Sequence, residues 1–269
     1  MRNSCRLLVS DMDGTLLDRE GKVSEENRFW IERLREEGIG FTLASGRERK
    51  AMREVLEQLR VDAPYVCSNG SEVWHGDTLL ERHLLAPEQI ERLVRLSRSY
   101  GTMIEAYSTA GGFDRDGMPQ AVEEYDWLQF VFKHPDPAVI RELTIRLAGE
   151  PLAMSQSDVT KLDINPFGVS KAAGAARAAM ALGLDAGQVA AIGDNGNDLA
   201  MIRWAGIGIA PQNARDEVKA EADYVTAADH DRHAVAEAIR WLLGREIRKT
   251  PWRASLKGTN KPRFRKDRI

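Results

Sequence analysis

The chain has 269 residues, of which 43% are apolar, and its formal net charge at pH 7 is -3. This apolar content suffices for a core of domain size, in one large domain or in two. No apolar run has the length of a membrane span, and the charge gives no reason to expect a polyanionic partner. Cys5 and Cys67 are too few for a disulfide framework and lie in or beside apolar segments, so we interpret them as small core residues.

The two ends of the chain differ in character. Residues 1–4 lead directly into an apolar run, without a cleavable apolar leader, which predicts a cytoplasmic protein. Basic residues predominate from Arg245 to Ile269 and apolar periodicity is lost there, which predicts a disordered or loosely docked tail. Contact of this tail with nucleic acid or with an acidic partner is one interpretation, and a solvated tail is the one we favour.

A buried strand, Leu7 to Ser10, ends at two carboxylates separated by one residue, Asp11 and Asp13, and then at Gly14. Residues two apart on an extended segment face the same way, so both carboxylates can face one small volume. In a doubly wound sheet, ligands bind just beyond this end of the strands. A hard cation such as Mg²⁺ is the natural counter-charge there and would leave Asp11 ionised as a nucleophile, but an isolated Asp-x-Asp pattern is more typical of a solvated acidic turn.

Two further strand-and-loop units follow. After a helix that begins behind Ser24, a strand over residues 39–44 ends at Ser45-Gly46-Arg47. These three residues can form a phosphate-binding loop or a serine helix cap, and taken alone they favour the cap. A helix over residues 48–59 and a strand over residues 65–67 come next, with a polar loop behind the strand. Three successive β-loop-α units predict an α/β fold with right-handed crossovers and one shared crevice.

The pattern changes near residue 80 and predicts an α+β insert with an antiparallel sheet. Its aromatic residues at positions 127, 130 and 132 are interpreted as core and sheet face, and residues 110–119 as a loop. The predicted helices of the insert are residues 87–100 and 137–147, and its predicted strands are residues 102–107, 127–133, 152–155 and 161–164.

Lys171 opens an alanine-rich helix over residues 172–182. A lysine in the first turn of a helix is disfavoured by the helix dipole unless an anion lies opposite. This position gives Lys171 more functional weight than an average surface lysine, and an anion-binding role and an ordinary surface lysine are equally favoured by it alone.

A second acidic loop follows the strand at residues 189–192. Asp194 and Asp198 lie four residues apart there, so that both can face the same crevice as Asp11 and Asp13. Four carboxylates gathered in this way favour a bound Mg²⁺. The remaining predicted elements are a strand over residues 206–210, a helix starting at residues 211–214, a strand over residues 224–225 and a helix over residues 234–243.

The order and approximate spacing of four motifs resemble the haloacid dehalogenase superfamily, in its Cof-type sugar-phosphatase branch. The motifs are Asp11-Met-Asp13-Gly-Thr15, Ser45-Gly46-Arg47, Gly168-Val-Ser-Lys171 and Gly193-Asp194-x-x-Asn197-Asp198. The resemblance implies a doubly wound, Rossmann-like parallel-sheet core with an inserted, smaller α+β cap domain. The predicted ranges are 1–80 and 166–244 for the core, 81–165 for the cap and 245–269 for the basic tail.

The resemblance also implies a role for each motif residue. Asp11 would attack phosphorus and form an aspartyl-phosphate, and Asp13 would protonate the leaving oxygen and later activate water. Mg²⁺ would be held by Asp11, the Asp13 carbonyl and Asp194, with Asp198 as a ligand or a supporting partner. The expected phosphate- and substrate-binding residues are Ser45, Gly46, Arg47, Lys171 and Asn197.

The function expected from these motifs is Mg²⁺-dependent hydrolysis of a small phosphate monoester, either a sugar phosphate or a phosphorylated organic acid. The alternatives are a phosphomutase and a non-catalytic binding protein that uses the basic tail. Residues 231–235 depart from the Asp-Gly-Val segment of many relatives, and the insert is short. The loop from Gly111 to Glu124 is our candidate for the determinant of specificity.

Overall fold

The computed structural model describes residues 5–249. A parallel sheet of five strands, in the spatial order β13-β12-β11-β1-β2, forms the centre of this part of the chain. Sequential strands β1 and β2 are joined through helix α1 (Glu25–Glu36), as the sequence predicts. The strands are β1 (Leu7–Ser10), β2 (Gly40–Leu43), β11 (Val189–Ile192), β12 (Ile207–Ala210) and β13 (Tyr224–Val225).

Helices cover both faces of this sheet, which is the doubly wound arrangement. Side chains alternate along β1, so that Leu8 packs on one face whereas Leu7 and Val9 pack on the other. The predicted Rossmann-like core is therefore confirmed. The helices on the Leu8 face are α1 (Glu25–Glu36), α2 (Arg49–Gln58) and α8 (Ala234–Lys249), and those on the other face are α5 (Lys171–Ala181), α6 (Leu199–Trp204) and α7 (Asp216–Glu221).

The third predicted β-loop-α unit is wrong. Strand β3 (Tyr65–Cys67) is followed by an antiparallel hairpin, β4 (Glu72–His75) and β5 (Thr78–Arg82). Asn69 and Gly70 have φ angles of 56° and 105°, and these left-handed conformations reverse the chain where a helix would have to begin. A parallel bridge from Ala44 to Val66 joins this hairpin unit to the central sheet.

The insert is an α+β cap with an antiparallel sheet of five strands in the order β7-β6-β8-β10-β9, as counted within residues 5–249. Its two helices pack on one face of the sheet, and each has proline in its first turn, where no backbone donor is needed. The cap elements are α3 (Pro87–Ser99), β6 (Met103–Ser108), β7 (Gly111–Asp114), β8 (Trp127–Lys133), α4 (Pro137–Leu147), β9 (Leu152–Ser155) and β10 (Lys161–Pro166).

Several predicted boundaries change in the structure. Residues 111–114 form β7 rather than a loop, because they pair antiparallel with β6. Residues 211–214 form a turn, and α7 begins at Asp216. Helix α8 continues to Lys249, so that it includes the first residues of the predicted tail; residues 250–269 lie outside the described part of the chain.

Two smaller predictions concern the cysteines and membrane-spanning segments. Both cysteines are buried, as expected for small core residues. Within residues 5–249, no helix combines the length and the apolarity that a bilayer crossing requires.

Candidate active site

The carboxyl ends of β1, β2 and β11 open into one cavity of about 340 Å³ beneath the cap sheet. This is where a doubly wound sheet is expected to bind ligands, because the backbone groups at the strand ends are not used in the ladder. The predicted site residues that line it are Asp11, Asp13, Ser45, Gly46, Arg47, Lys171 and Asn197.

Lys171 lies at the centre of the site. Its Nζ donates to Asp11 Oδ1 at 2.6 Å and to Asp198 Oδ1 at 2.7 Å, and all three side chains are almost fully buried. The Ser170 hydroxyl caps helix α5 by accepting from the Ala173 amide at 3.1 Å, which fixes the start of the helix and therefore the origin of the lysine side chain. The anion expected opposite Lys171 is thus a pair of carboxylates.

Asp198 uses both of its oxygens inside the protein. While Oδ1 accepts from Lys171, Oδ2 accepts from the backbone amides of Asp194 and Asn195, each at 3.1 Å. Asp198 therefore holds the loop after β11 in place and positions Lys171 at the same time.

Asp194 lies between the two acidic loops. Its Oδ1 accepts from the Thr15 hydroxyl at 3.0 Å, and its backbone oxygen accepts from the Arg215 amide at 2.9 Å. Gly14 has a φ of 78°, and a Cβ at this residue would lie 2.6 Å from Asp194 Oδ2, so the first loop can approach only as glycine.

The electrostatics of these carboxylates fit a divalent cation. Asp11, Asp194 and Asp198 each place a carboxylate oxygen within 4.8 Å of the others. Burial, followed by the charge of Asp198, raises the pKa of Asp11 well above its usual range and the pKa of Asp194 to about 6. Burial disfavours the charged form of Lys171, but Asp11 and Asp198 outweigh it and raise the pKa of the lysine. The three carboxylates share a single neighbouring cation, Lys171, so their negative charge is only partly compensated. A cation site with oxygen ligands requires such an excess of negative charge.

Asp13 and Arg47 form an ion pair at the mouth of the cavity. Arg47 Nε donates to Asp13 Oδ2 at 2.8 Å, and Nη2 lies 2.5 Å from Oδ1. The Asp13 side chain is 58% exposed, unlike that of Asp11, so that water and a leaving group can reach it. Asp11 and Asp13 are only two residues apart, yet the side chain of Asp11 is buried and that of Asp13 is exposed.

The loops after β2 and β3 meet at the side of the cavity. Ser45 is buried, and its Oγ accepts from the Arg47 amide at 3.1 Å. Asn197 Nδ2 donates to Asn69 Oδ1 at 3.1 Å, which ties the loop after β11 to the turn after β3. Asn69 and Thr15 were given no role from the sequence, although Thr15 belongs to the first motif; no separate sequence signal identifies Asn69.

Six further cavity residues come from the strands of the cap sheet, Val131 and five polar residues, and all were missed. The polar positions that alternate with apolar ones along β6, β8 and β10 are the signal that could have identified the five polar residues. In contrast, no residue from Gly111 to Glu124, the predicted specificity loop, is among the described residues that line this cavity. The missed polar residues are Glu105, Tyr107, Gln129, Lys161 and Asp163.

Two other regions bear on the site. Residues 231–235, which depart from the family pattern, are held against the loop after β1, because Arg19 Nε donates to Asp231 Oδ2 at 2.8 Å. This hydrogen bond lowers the pKa of Asp231 to about 2. A larger groove of about 780 Å³ lies between α2 and the hairpin unit. Of the cations that line it, Arg49 and Arg82 are paired with acidic side chains, and none of the motif residues Asp11, Asp13, Ser45 or Lys171 lines it, so we place the chemistry in the smaller cavity.

Comparison with known proteins agrees with this geometry. Residues 8–136 and 119–239 match a family model described as haloacid dehalogenase-like hydrolase. The chain is 36% identical over 241 residues to 5-amino-6-(5-phospho-D-ribitylamino)uracil phosphatase YcsE of Bacillus subtilis, covering 88% of this chain and 96% of YcsE. It is 27% identical over 270 residues to an HMP-PP phosphatase of Klebsiella pneumoniae, covering 91% of this chain and 99% of the relative.

A solved structure shares the whole architecture. A haloacid dehalogenase-like hydrolase from Bacteroides thetaiotaomicron superposes with a TM-score of 0.73 at 27% identity, covering 89% of this chain and all of the other. The match extends over both the parallel sheet and the cap.

Proposed function

The chain belongs to the haloacid dehalogenase-like hydrolase family and is a phosphoric monoester hydrolase; on that premise we propose that it hydrolyses a small phosphorylated metabolite with Mg²⁺, through an aspartyl-phosphate. The observation that carries the proposal is the contact of Asp11 with Lys171 at the buried end of β1. A nucleophile and a cation side by side are what phosphoryl transfer needs most.

In the proposed reaction, an Asp11 carboxylate oxygen attacks phosphorus, and the bond from phosphorus to the leaving oxygen breaks. Asp13, protonated once Arg47 has moved from it to the phosphate, donates its proton to that leaving oxygen. Asp13 then accepts a proton from water, which attacks the aspartyl-phosphate and releases inorganic phosphate, so that Asp11 is regenerated. The burial of Asp11 and the exposure of Asp13 support this division of roles.

The proposed metal ligands are Asp11, the Asp13 carbonyl and Asp194. Bound Mg²⁺ would neutralise charge on the phosphate and its surroundings. Asp198 is assigned a supporting position rather than direct ligation, since both its oxygens already accept hydrogen bonds.

The proposed phosphate site consists of Lys171, Ser45, Gly46 and Arg47, with Asn197 orienting the loop. Lys171 would stabilise the charge on the equatorial oxygens of the transferring group. Its fixed position between two carboxylates supports this role, because a preorganised cation costs little reorganisation during the reaction.

The domain limits are proposed as core residues 1–80 and 166–244, cap residues 81–165 and tail residues 245–269. The parallel and antiparallel sheets support the division between core and cap, while α8 passes the predicted start of the tail. A sugar phosphate or a phosphorylated organic acid remains the proposed substrate class, and the cytoplasmic location stays a prediction.

The test is phosphate release from a panel of small esters, with and without Mg²⁺ after treatment with a chelator. The panel includes the compound for which YcsE is named. We expect Mg²⁺-dependent release that is absent from Asp11→Asn. Formation of an isomerised sugar phosphate without free phosphate would favour a mutase instead, and no turnover of any ester would contradict the proposal.

A further inference from the structure

The turn at residues 68–71, directly after β3, has an unfavourable backbone conformation. Ser68 and Asn69 have left-handed φ angles of 48° and 56°, although neither is glycine, and both side chains are buried. Such conformations cost free energy and persist only where the surrounding structure holds them in place. A Cβ at Gly70 would lie 2.3 Å from the backbone oxygen of Ser170, so the turn also packs tightly on the start of helix α5.

The backbone of this turn holds the loop after β2. The Ser68 amide donates to the backbone oxygen of Arg47 at 2.9 Å. The Asn69 amide donates to the backbone oxygen of Ser45 at 3.0 Å. Both acceptors belong to the proposed phosphate-binding loop, so hydrogen bonds couple the conformation of the turn to that of this loop.

Asn165, near the end of β10, joins the same turn to the cap. Its Nδ2 donates to the backbone oxygen of Ser68 at 2.9 Å and to that of Leu128, in strand β8, at 3.3 Å. The Ser71 hydroxyl accepts from the same nitrogen at 3.0 Å and donates to Leu128 at 2.7 Å. Backbone oxygens can only accept, which fixes the Asn165 amide with its nitrogen towards them.

This orientation passes along two further amides. Asn165 Oδ1 faces the turn and accepts from Asn69 Nδ2 at 3.5 Å. Asn69 Oδ1 accepts from Asn197 Nδ2 at 3.1 Å. Asn197 Oδ1 has no hydrogen-bond partner within residues 5–249, so in this part of the chain the Asn197 side chain is held through Asn69. We call Asn165, Asn69 and Asn197 the amide relay.

The amide relay ends in the loop that carries the acidic residues after β11. Asn197 lines the cavity and precedes Asp198, whose carboxylate accepts from Lys171. Asn69 and Asn165 are not among the described residues that line the cavity. Electrostatic stabilisation of a transition state depends on groups whose orientation is fixed before the reaction. Loss of the bond from Asn69 would therefore lower the rate by releasing Asn197.

We infer that Asn69 and Asn165 are positioning residues for phosphoryl transfer, which carry the contact between cap strand β8 and the turn at residues 68–71 to Asn197 in the cavity. This inference rests on the proposed function, because it concerns the alignment of that site. The two residues act through Asn197 and take no part in bond making. Separation of β8 from the turn would remove Leu128 from the acceptors that orient the relay.

The first test removes the middle amide with Asn69→Gly. Glycine adopts a left-handed φ readily, so this variant keeps the turn. Both kcat and kcat/KM should fall by about tenfold for every ester that the wild type hydrolyses. Asn27→Ala is the matched control, since Asn27 is also buried and bonds to the backbone of Leu16 and Ala236. It should lower Tm and keep the wild-type kcat.

The second test asks whether Asn165 acts through Asn197. It compares kcat for Asn165→Ala, Asn197→Ala and the double variant. Asn165→Ala should lower kcat by about tenfold when Asn197 is present and by less than about twofold when Asn197 is already alanine. If the two single effects multiply in the double variant, Asn165 acts by another route and the relay is wrong.

The remaining outcomes separate the two proposals. If the wild-type enzyme releases phosphate and Asn69→Gly keeps its kcat, the relay is wrong and the proposed function stands. If Asn27→Ala loses as much kcat as Asn69→Gly, the loss is common to buried asparagines and the relay is equally wrong. If the wild-type enzyme with Mg²⁺ hydrolyses no ester, the proposed function fails and the inference fails with it.

Discussion

The two sheets of this protein contribute to one cavity in different ways. The parallel sheet contributes the ends of its strands, where Asp11, Ser45 and Asp194 follow β1, β2 and β11. The antiparallel cap sheet contributes a face, through Gln129 and Asp163. Strand ends bring free backbone groups as well as side chains, whereas a sheet face offers side chains alone because its backbone is used in the ladder.

This difference suggests a division of labour. We call the strand ends of the parallel sheet, with Asp11, Ser45 and Asp194, the floor of the cavity, and the face of the cap sheet, with Gln129 and Asp163, its wall. Every ester presents the same phosphate, and the floor, which backbone geometry and buried charge hold fixed, is suited to bind it. Esters differ in their leaving groups, which suits a wall whose side chains can vary without disturbing the strands. Changes in the floor should therefore affect all esters alike, while changes in the wall should change their ranking.

The largest expected effect comes from Asp11→Asn. Removing the nucleophile should lower kcat for every ester by at least about 10³-fold, since covalent catalysis is lost as a whole. Phosphate release is the measurement, with circular dichroism to verify the fold. A wild-type rate of Asp11→Asn on any ester would show that Asp11 is not the nucleophile. It would also contradict the assignment of the chemistry to the strand ends of the parallel sheet.

Lys171→Met should lower kcat/KM by about 10²- to 10³-fold for all esters, the size expected for a lost preorganised donor. It should also lower the free energy of unfolding by about 3–5 kcal/mol, because Asp11 and Asp198 lose their shared cation. Denaturation in urea measures the second effect. Lys22→Met, at an exposed lysine paired only with Glu20 among the described residues, is the control and should change neither quantity appreciably.

Gly14→Ala tests whether the floor depends on close approach of two loops. The left-handed φ costs about 1–2 kcal/mol for alanine, and the new Cβ would also displace Asp194. Gly21→Ala has a similar φ of 75° with no atom within 4 Å, so it should cost stability without lowering activity. Equal activity in the two variants would show that the contact with Asp194 is unimportant.

The smallest expected effect is a pH dependence from the wall. Burial raises the folded-state pKa of Asp163, so the folded protein binds more protons than the unfolded chain between the unfolded pKa of about 4 and the raised folded pKa. This group therefore destabilises the fold progressively as pH rises through its folded pKa. The free-energy difference between Asp163→Asn and the wild type should shift in favour of the variant as pH rises above the unfolded-state pKa of about 4.

Asp158→Asn is the matched control for that measurement. A hydrogen bond from the Thr160 side chain lowers the pKa of Asp158, so its contribution to stability has the opposite sign: it is present above the unfolded pKa and is lost as pH falls. Parallel pH dependences in the two variants would contradict the assignment to Asp163.

The sequence identified the floor of the site more completely than the wall. Asp11, Ser45, Lys171 and Asp194 each stand at the end of a strand or the start of a helix, where a short local pattern indicates both the element and its boundary. The same local patterns failed after β3, because the left-handed turn at Asn69 has no strong signature beyond its glycine. The loop at residues 111–124 was chosen for its lack of pattern, whereas the cavity is lined by regular strands.

The sequence by itself determined the fold class, the strand ends and the residues available for chemistry, since hydrophobic periodicity and motif spacing are local properties of the chain. Only the tertiary structure decided which charges are neighbours. In the tertiary structure Lys171 lies between Asp11 and Asp198, and Asp13 forms an ion pair with Arg47. The polar face of the cap sheet lines the cavity. These pairings join residues far apart in sequence, and strand register and domain packing, which set them, are properties of the whole chain.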